Sequence, residues 1–162
     1  MGLNTIDGDM VVKGRLSPTL LDIPDNIIVD ADVSSSAKIA TTKLQHRHQV
    51  GFGQPNTAAT TETRSLFIAR SIGTIMEIGA GSIAIAIGNS TVTVNVLKNG
   101  TTVLTAVITL DNANVARTIE LGTISVAGLV AGDYLEVVLV ATIGTGTLPT
   151  GVFVSMKLDM DP

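Results

Sequence analysis

The chain contains no cysteine and no tryptophan, and its aromatic residues are three phenylalanines and one tyrosine. The first absence removes disulfides, thiolate metal ligands and a cysteine nucleophile. It says nothing about compartment, because a cysteine-free chain tolerates either redox state. Charge is scarce too: Asp, Glu, Lys and Arg make up 15% of the 162 residues, with a formal net charge of −4. An acidic chain with a pI near 4.9 is a poor candidate for nucleic-acid binding, which usually shows a basic patch, so no nucleic acid is expected as a partner. Low charge combined with a mean hydropathy of +0.46 is the opposite of a disordered composition.

Long spanning segments are also missing. Residues 78–97 are free of charge, but Gly79, Gly81, Gly88 and Asn89 interrupt them and their apolar residues alternate. That pattern reads as strands, and no membrane partner is expected. The opening MGLNTIDGDMVVKG has neither a basic nor an apolar leader region, so no secretory signal is expected.

Ile, Val, Ala and Leu are plentiful. At 16.7 kDa the chain is sized for one domain with an appendage. So much aliphatic surface in so small a protein implies burial between subunits as well as within one.

Two regions differ in texture. Residues 1–48 read as an extended arm, punctuated by Gly2, Gly8, Gly14, Pro18 and Pro24. Their apolar residues come in runs too short for a core: Met10 to Val12, Leu20 with Leu21, and Ile27 to Val29. Within the arm, residues 30–44 suit a short helix. Ser34, Ser35 or Ser36 would cap it, with Val33, Ala37, Ala40 and Leu44 near one face.

Residues 49–162 read as a β-domain. Val92, Val94 and Val96 alternate with Thr93 and Asn95, and Asn99-Gly100 then marks a hairpin. Leu104, Ala106, Ile108 and Leu110 are expected on one face of the next strand, with another strand or strand pair over 118–124. A strand over 134–142 follows, then a long loop at 144–151. The last strand sets Val152, Val154 and Met156 against Phe153, Ser155 and Lys157. Seven or eight short strands with turns between them read as an all-β, antiparallel sandwich, jelly-roll-like, preceded by the extended arm.

In the 134–142 strand, Leu135, Val137, Leu139 and Ala141 make one apolar face, yet Val138 and Val140 make the other face apolar as well. A sandwich strand facing water is polar on that side. Val138 and Val140 are therefore candidates for a subunit interface, and the Ile83 to Ile87 run carries the same signal.

Sites of chemistry are sparse. His46 and His48 flank Arg47, and on a strand both would point to one side, a spacing that can chelate a metal. With no Cys, Asp or Glu within ten residues of either, they read as a polar joint between arm and sandwich. On a trimer axis they would form a ring of six imidazoles, which makes His46 and His48 further interface candidates. Gly79-Ala80-Gly81-Ser82 matches neither a nucleophile elbow nor a dinucleotide loop and reads as a glycine-rich turn between strands. Asp7-Gly8-Asp9 and Asp30-Ala31-Asp32 lack the glutamate that a calcium loop places at position 12. Asn89-Ser90-Thr91 and Asn99-Gly100-Thr101 fit the glycosylation pattern but read as turn chemistry. No catalytic set, metal or cofactor is expected.

Three stretches of the arm carry a resemblance. They are Ile23-Pro24-Asp25-Asn26, Val29-Asp30-Ala31-Asp32-Val33, and the run AKIATTKLQHRH from Ala37 to His48, and Gly8 to Ser17 fits with them. They resemble the N-terminal segments of tailed-bacteriophage capsid decoration proteins of the head auxiliary or head-fibre-like kind. The likeness spans residues 8–48, and the sandwich shares it only by pattern. It implies a structural, non-enzymatic virion protein on the outer capsid surface, made in the bacterial cytoplasm and trimeric through its β-domain. It also implies as partners the major capsid protein and neighbouring decoration subunits. Leu20, Ile23, Ile27, Val33, Ile39 and Leu44 would then anchor the arm to the capsid. Segments of the form A-x-I-A-x-x-K-L also occur in phage tail-fibre proteins, so a tail-fibre or glycan-binding receptor module is the second expectation.

Overall fold

The computed structural model describes residues 46–161. The arm residues 1–45, with the candidate helix and the six candidate anchor residues Leu20, Ile23, Ile27, Val33, Ile39 and Leu44, lie outside the described residues.

Ten strands follow one another: β1 His46–Gly53, β2 Glu62–Ile68, β3 Gly73–Ala84, β4 Thr91–Lys98 and β5 Thr101–Thr102, then β6 Ile108–Leu110, β7 Glu120–Leu121, β8 Gly128–Leu129, β9 Tyr134–Thr142 and β10 Thr150–Met160. They form two five-stranded antiparallel sheets. The first runs β1-β10-β3-β7 with β8 also on β3; the second runs β2-β9-β4-β5 with β6 also on β4. With β5 and β6 taken as one interrupted strand and β7 and β8 as another, eight strands remain. Successive strands then alternate between the sheets except at the β4 hairpin, whose two strands both lie in the second sheet, and this is the winding of a jelly roll built from two Greek keys. The expected all-β sandwich is what forms.

Period-two patterning decides which side chains face in. On β4, Val92, Val94 and Val96 are fully buried, and on β9 so are Leu135, Val137 and Leu139. Their partners across the core are Val152, Val154, Met156 and Leu158 of β10 and Ile75, Ile78 and Ala80 of β3. Each such Val, Leu, Ile or Met side chain contributes about 1.5–3 kcal/mol by leaving water. The β4 hairpin turns as its residues require. Asn99 (φ 51°) and Gly100 (φ 81°) both occupy the left-handed region, as a tight two-residue turn of matching twist demands.

Three expectations needed correction. Gly79 to Ser82 is no turn but the middle of β3, unbroken from Gly73 to Ala84. The strand expected through Leu104, Ala106, Ile108 and Leu110 is interrupted. Val103 and Leu104 are both buried and Ala106 is exposed, because the chain leaves the second sheet there to bond with the first. Thr105 N donates to Thr123 O at 2.8 Å and Ser125 N to Val103 O at 2.8 Å, which stitches the two sheets together along that edge. The Ile83 to Ile87 run is not one strand either, since β3 ends at Ala84 and Ala86 then turns inward.

The two ends of the sandwich are tied differently. At one, the 85–90 and 143–149 segments are joined by Ile87 N to Thr147 O (2.9 Å), Asn89 N to Thr145 O (3.1 Å) and Gly144 N to Ser90 Oγ (3.0 Å). At the other, Asp133 is buried and gathers the turns around Asn99 and Val130.

Candidate functional site

The histidine stretch lies inside the sandwich rather than before it. β1 begins at His46 and pairs with β10 in the register His46 with Met160, His48 with Leu158, Val50 with Met156 and Phe52 with Val154. Paired residues share a face, and Met156, Leu158 and Met160 are core residues. Both histidines therefore sit on the inward side of β1, an edge strand of the first sheet, and the expectation that they point to one side holds. His48 is exposed at the sandwich edge with its ring 6.3 Å from that of Phe67 on β2, tilted by 42°. The His46 Nε2 is enclosed and has no hydrogen-bond partner among the described residues. An open cleft of about 460 Å3 adjoins them, lined by His46, His48, Phe67, Ile68, Arg70 and Asp161 among others. Among the described residues no three His, Asp or Glu side chains gather as a metal would need.

Further along the same edge, side chains rather than backbone close the gap between β1 and β2. The Arg64 guanidinium lies 5.8 Å from the centre of the Phe52 ring, and Arg64 Nε contacts Glu62 Oε2 at 2.7 Å. The Gln54 amide donates to Glu62 Oε1 and to Thr60 O at 2.8 Å. The Gln54 amide, then Arg64, favour the ionised form of Glu62 and hold its carboxyl below the ordinary carboxylate value. The result is a polar and aromatic seam across the mouth of the core.

Val138 and Val140 lie elsewhere, on the outer face of the second sheet. Val138 pairs with Thr63 on one side and Asn95 on the other, and Val140 pairs with Thr93. Val138 is half-buried and Val140 is 43% exposed. The four residues proposed from sequence as a subunit interface thus fall into two separate places, the histidines on the inward side of one sheet and the valines on the outward side of the other.

A second apolar surface escaped the sequence reading. It is the outer face of the first sheet. Gly79 and Gly81 of β3 point outward there, and both are buried. The side chains of Ile119 and Leu121 lie over Gly79, and the Phe153 ring lies over Gly81. Ile83 continues the strip over Gly151. A Cβ at Gly79 or Gly81 would collide with these neighbours, so glycine is what lets them lie on the sheet. Leu121 is 65% exposed, Met76 55%, Ile119 44% and Ile83 37%. The readable signal was glycine at alternate positions of an apolar strand, which marks close approach to the sheet rather than a turn.

No family model and no curated protein matches this chain. Among solved structures it is similar to a chain from the structure of the infectious bursal disease virus Gx strain, at 15% identity and a TM-score of 0.36. The match covers 73% of this chain and 33% of that one. The chain thus spans about a third of its structural neighbour, and a TM-score that low fixes neither family nor function.

Proposed function

We propose that the protein is a structural, non-enzymatic virion subunit that decorates and stabilises the outer surface of a phage capsid. The observation that carries this reading is a closed jelly roll whose two outer faces keep aliphatic side chains exposed, Val140 on one and Leu121 on the other. A sandwich that has already filled its core gains nothing from these side chains as a monomer. They are surface for other subunits. The arm supports the phage assignment through its resemblance to decoration-protein N-termini, and it is the part that would hold the major capsid protein. Trimer formation is assigned to the outer face of the second sheet around Val138 and Val140. Reinforcement follows from area: each Å2 of apolar surface buried between subunits adds about 25 cal/mol.

The test is co-sedimentation of the purified protein with phage heads assembled without it. Saturable binding supports the reading. A protein that ignores heads and binds host cells overturns it in favour of a tail-fibre or receptor-binding module.

A further inference from the structure

The first sheet's outer face has a left-right asymmetry that matches itself. One transverse row of that face reads, from the β1 edge to the β7 edge, Gly51, Ser155, Gly79, Leu121. The β1 side of this row ends in a glycine and the β7 side in a leucine 65% exposed. The row through Gly53, Phe153 and Gly81 repeats the hollow on the β1 side, where a Cβ at Gly53 would meet nothing nearer than 3.9 Å. The row through Gln49, Lys157 and Glu77 carries one charge of each sign on adjacent strands, with Lys157 Nζ 2.8 Å from Glu77 Oε1.

We infer that this face pairs with the same face of a second copy of the chain about a two-fold axis running along the strands between β10 and β3. Such an axis exchanges left and right while keeping each row at its own height. Leu121 of one copy then lies over the Gly51 hollow of the other, and Lys157 of one faces Glu77 of the other. Knob meets hole and cation meets anion without any further element, as an isologous contact requires. Aligned sheets pack face to face in this manner at about 10 Å. The size reaches the lower end of a stable interface. β1, β10 and β3 are 8, 11 and 12 residues long, and β7 and β8 add two each. At about 3.3 Å per residue and 4.8 Å between strands they present roughly 550 Å2 before side-chain relief. The smaller stable interfaces take about 600 Å2 from each partner.

The pairing rests on the reading that copies associate, and it is separate from the trimer contact on the opposite sheet. With the two-fold axis perpendicular to the three-fold, the two contacts together give a closed assembly of six chains. Sedimentation of the full chain over a concentration series reads both, using Leu121→Arg on the pairing face and Val140→Arg on the trimer face. Leu121 is exposed in the single chain, so its replacement leaves the core intact. The expected wild-type mass is six chains, falling to three with Leu121→Arg and to two with Val140→Arg. Lys157→Glu should weaken the pairing at least tenfold, and Lys157→Glu combined with Glu77→Lys should restore it. A wild type of two chains that becomes single with Leu121→Arg upholds the pairing and overturns the trimer. A wild type of three chains overturns the pairing and leaves the trimer standing, and an even assembly that survives Leu121→Arg overturns the pairing. A wild type that stays a single chain overturns both.

Discussion

Asn99 and Asp133 hold each other across two turns that are 34 residues apart in sequence. The Asn99 side-chain amide donates to Asp133 Oδ1 at 2.6 Å, while Asn99 Oδ1 accepts from Tyr134 N at 3.0 Å. The second Asp133 oxygen accepts from Val130 N at 2.9 Å, and Lys98 Nζ lies 3.7 Å away. The left-handed Asn99 is thereby fixed where the β4 hairpin meets the start of β9.

This carboxylate gives the fold an acid limit. The Val130 amide, then the Asn99 amide, hold Asp133 below the usual carboxylate value. A group whose folded-state pKa is depressed contributes stability that is complete above its unfolded value, about 3.9, and is lost as pH falls through the lower folded value. Asp133→Asn removes that contribution. Urea midpoints should therefore differ between wild type and variant at pH 7 and draw together as pH falls from the unfolded value through the lower folded one. A gap unchanged across that range would show that the charge of Asp133 plays no part.

The two sides of the second sheet should answer mutation differently. Leu110 of β6 is buried against the core and Thr109 beside it is exposed. Leu110→Ala should cost about 2–5 kcal/mol by chemical denaturation, from lost transfer energy and the cavity left behind. Thr109→Ala should cost less than about 1 kcal/mol. Equal losses would mean that the strand's inner and outer faces are misassigned.

Close approach over β3 gives a third outcome. Gly79→Val places a branched side chain into Ile119 and Leu121 and should destabilise by about 1–3 kcal/mol. Ile119→Ala in the same chain should return part of the loss, as neighbours in contact are not additive. Strict additivity in the double-mutant cycle would remove the contact from the account.

The seam beside the histidines is held weakly. Arg64 is largely exposed where it meets Glu62 and Phe52, so solvent and salt screen the pair. Arg64→Ala should cost no more than about 1 kcal/mol, with the cost shrinking at high salt. A larger, salt-independent loss would point to Arg64 packing rather than charge.

The strands most legible in the sequence were those with one buried and one wet face. Val92, Val94 and Val96 alternate with Thr and Asn, Leu135 to Leu139 alternate on β9, and Asn99-Gly100 announces the turn between sheet neighbours. β1 was unreadable as a strand because His46, His48 and Gln49 show no aliphatic alternation. It sits at the sheet edge, where the histidine half of its inner face meets Phe67 and only Val50 and Phe52 pack against the core. The interruption between β5 and β6 has no local cause in the sequence. It arises from cross-sheet bonds to Thr123 and Ser125, which only the folded topology brings near. The glycines of β3 misled for a related reason: the side chains they accommodate come from Ile119 and Phe153, about 40 and 70 residues later in the chain. Of the candidate interface, the valines were readable from a doubly apolar strand, whereas the inward placement of the histidines needed the register with β10.

Removing residues 1–45 separates attachment to the capsid from assembly of the sandwich. Full-length and truncated proteins would be compared for binding to phage heads, for binding to host cells and for oligomeric mass. The truncated sandwich should keep its core, still associate with copies of itself and no longer bind heads. Undiminished attachment to host cells, with no head binding by either form, would contradict the capsid-decoration reading.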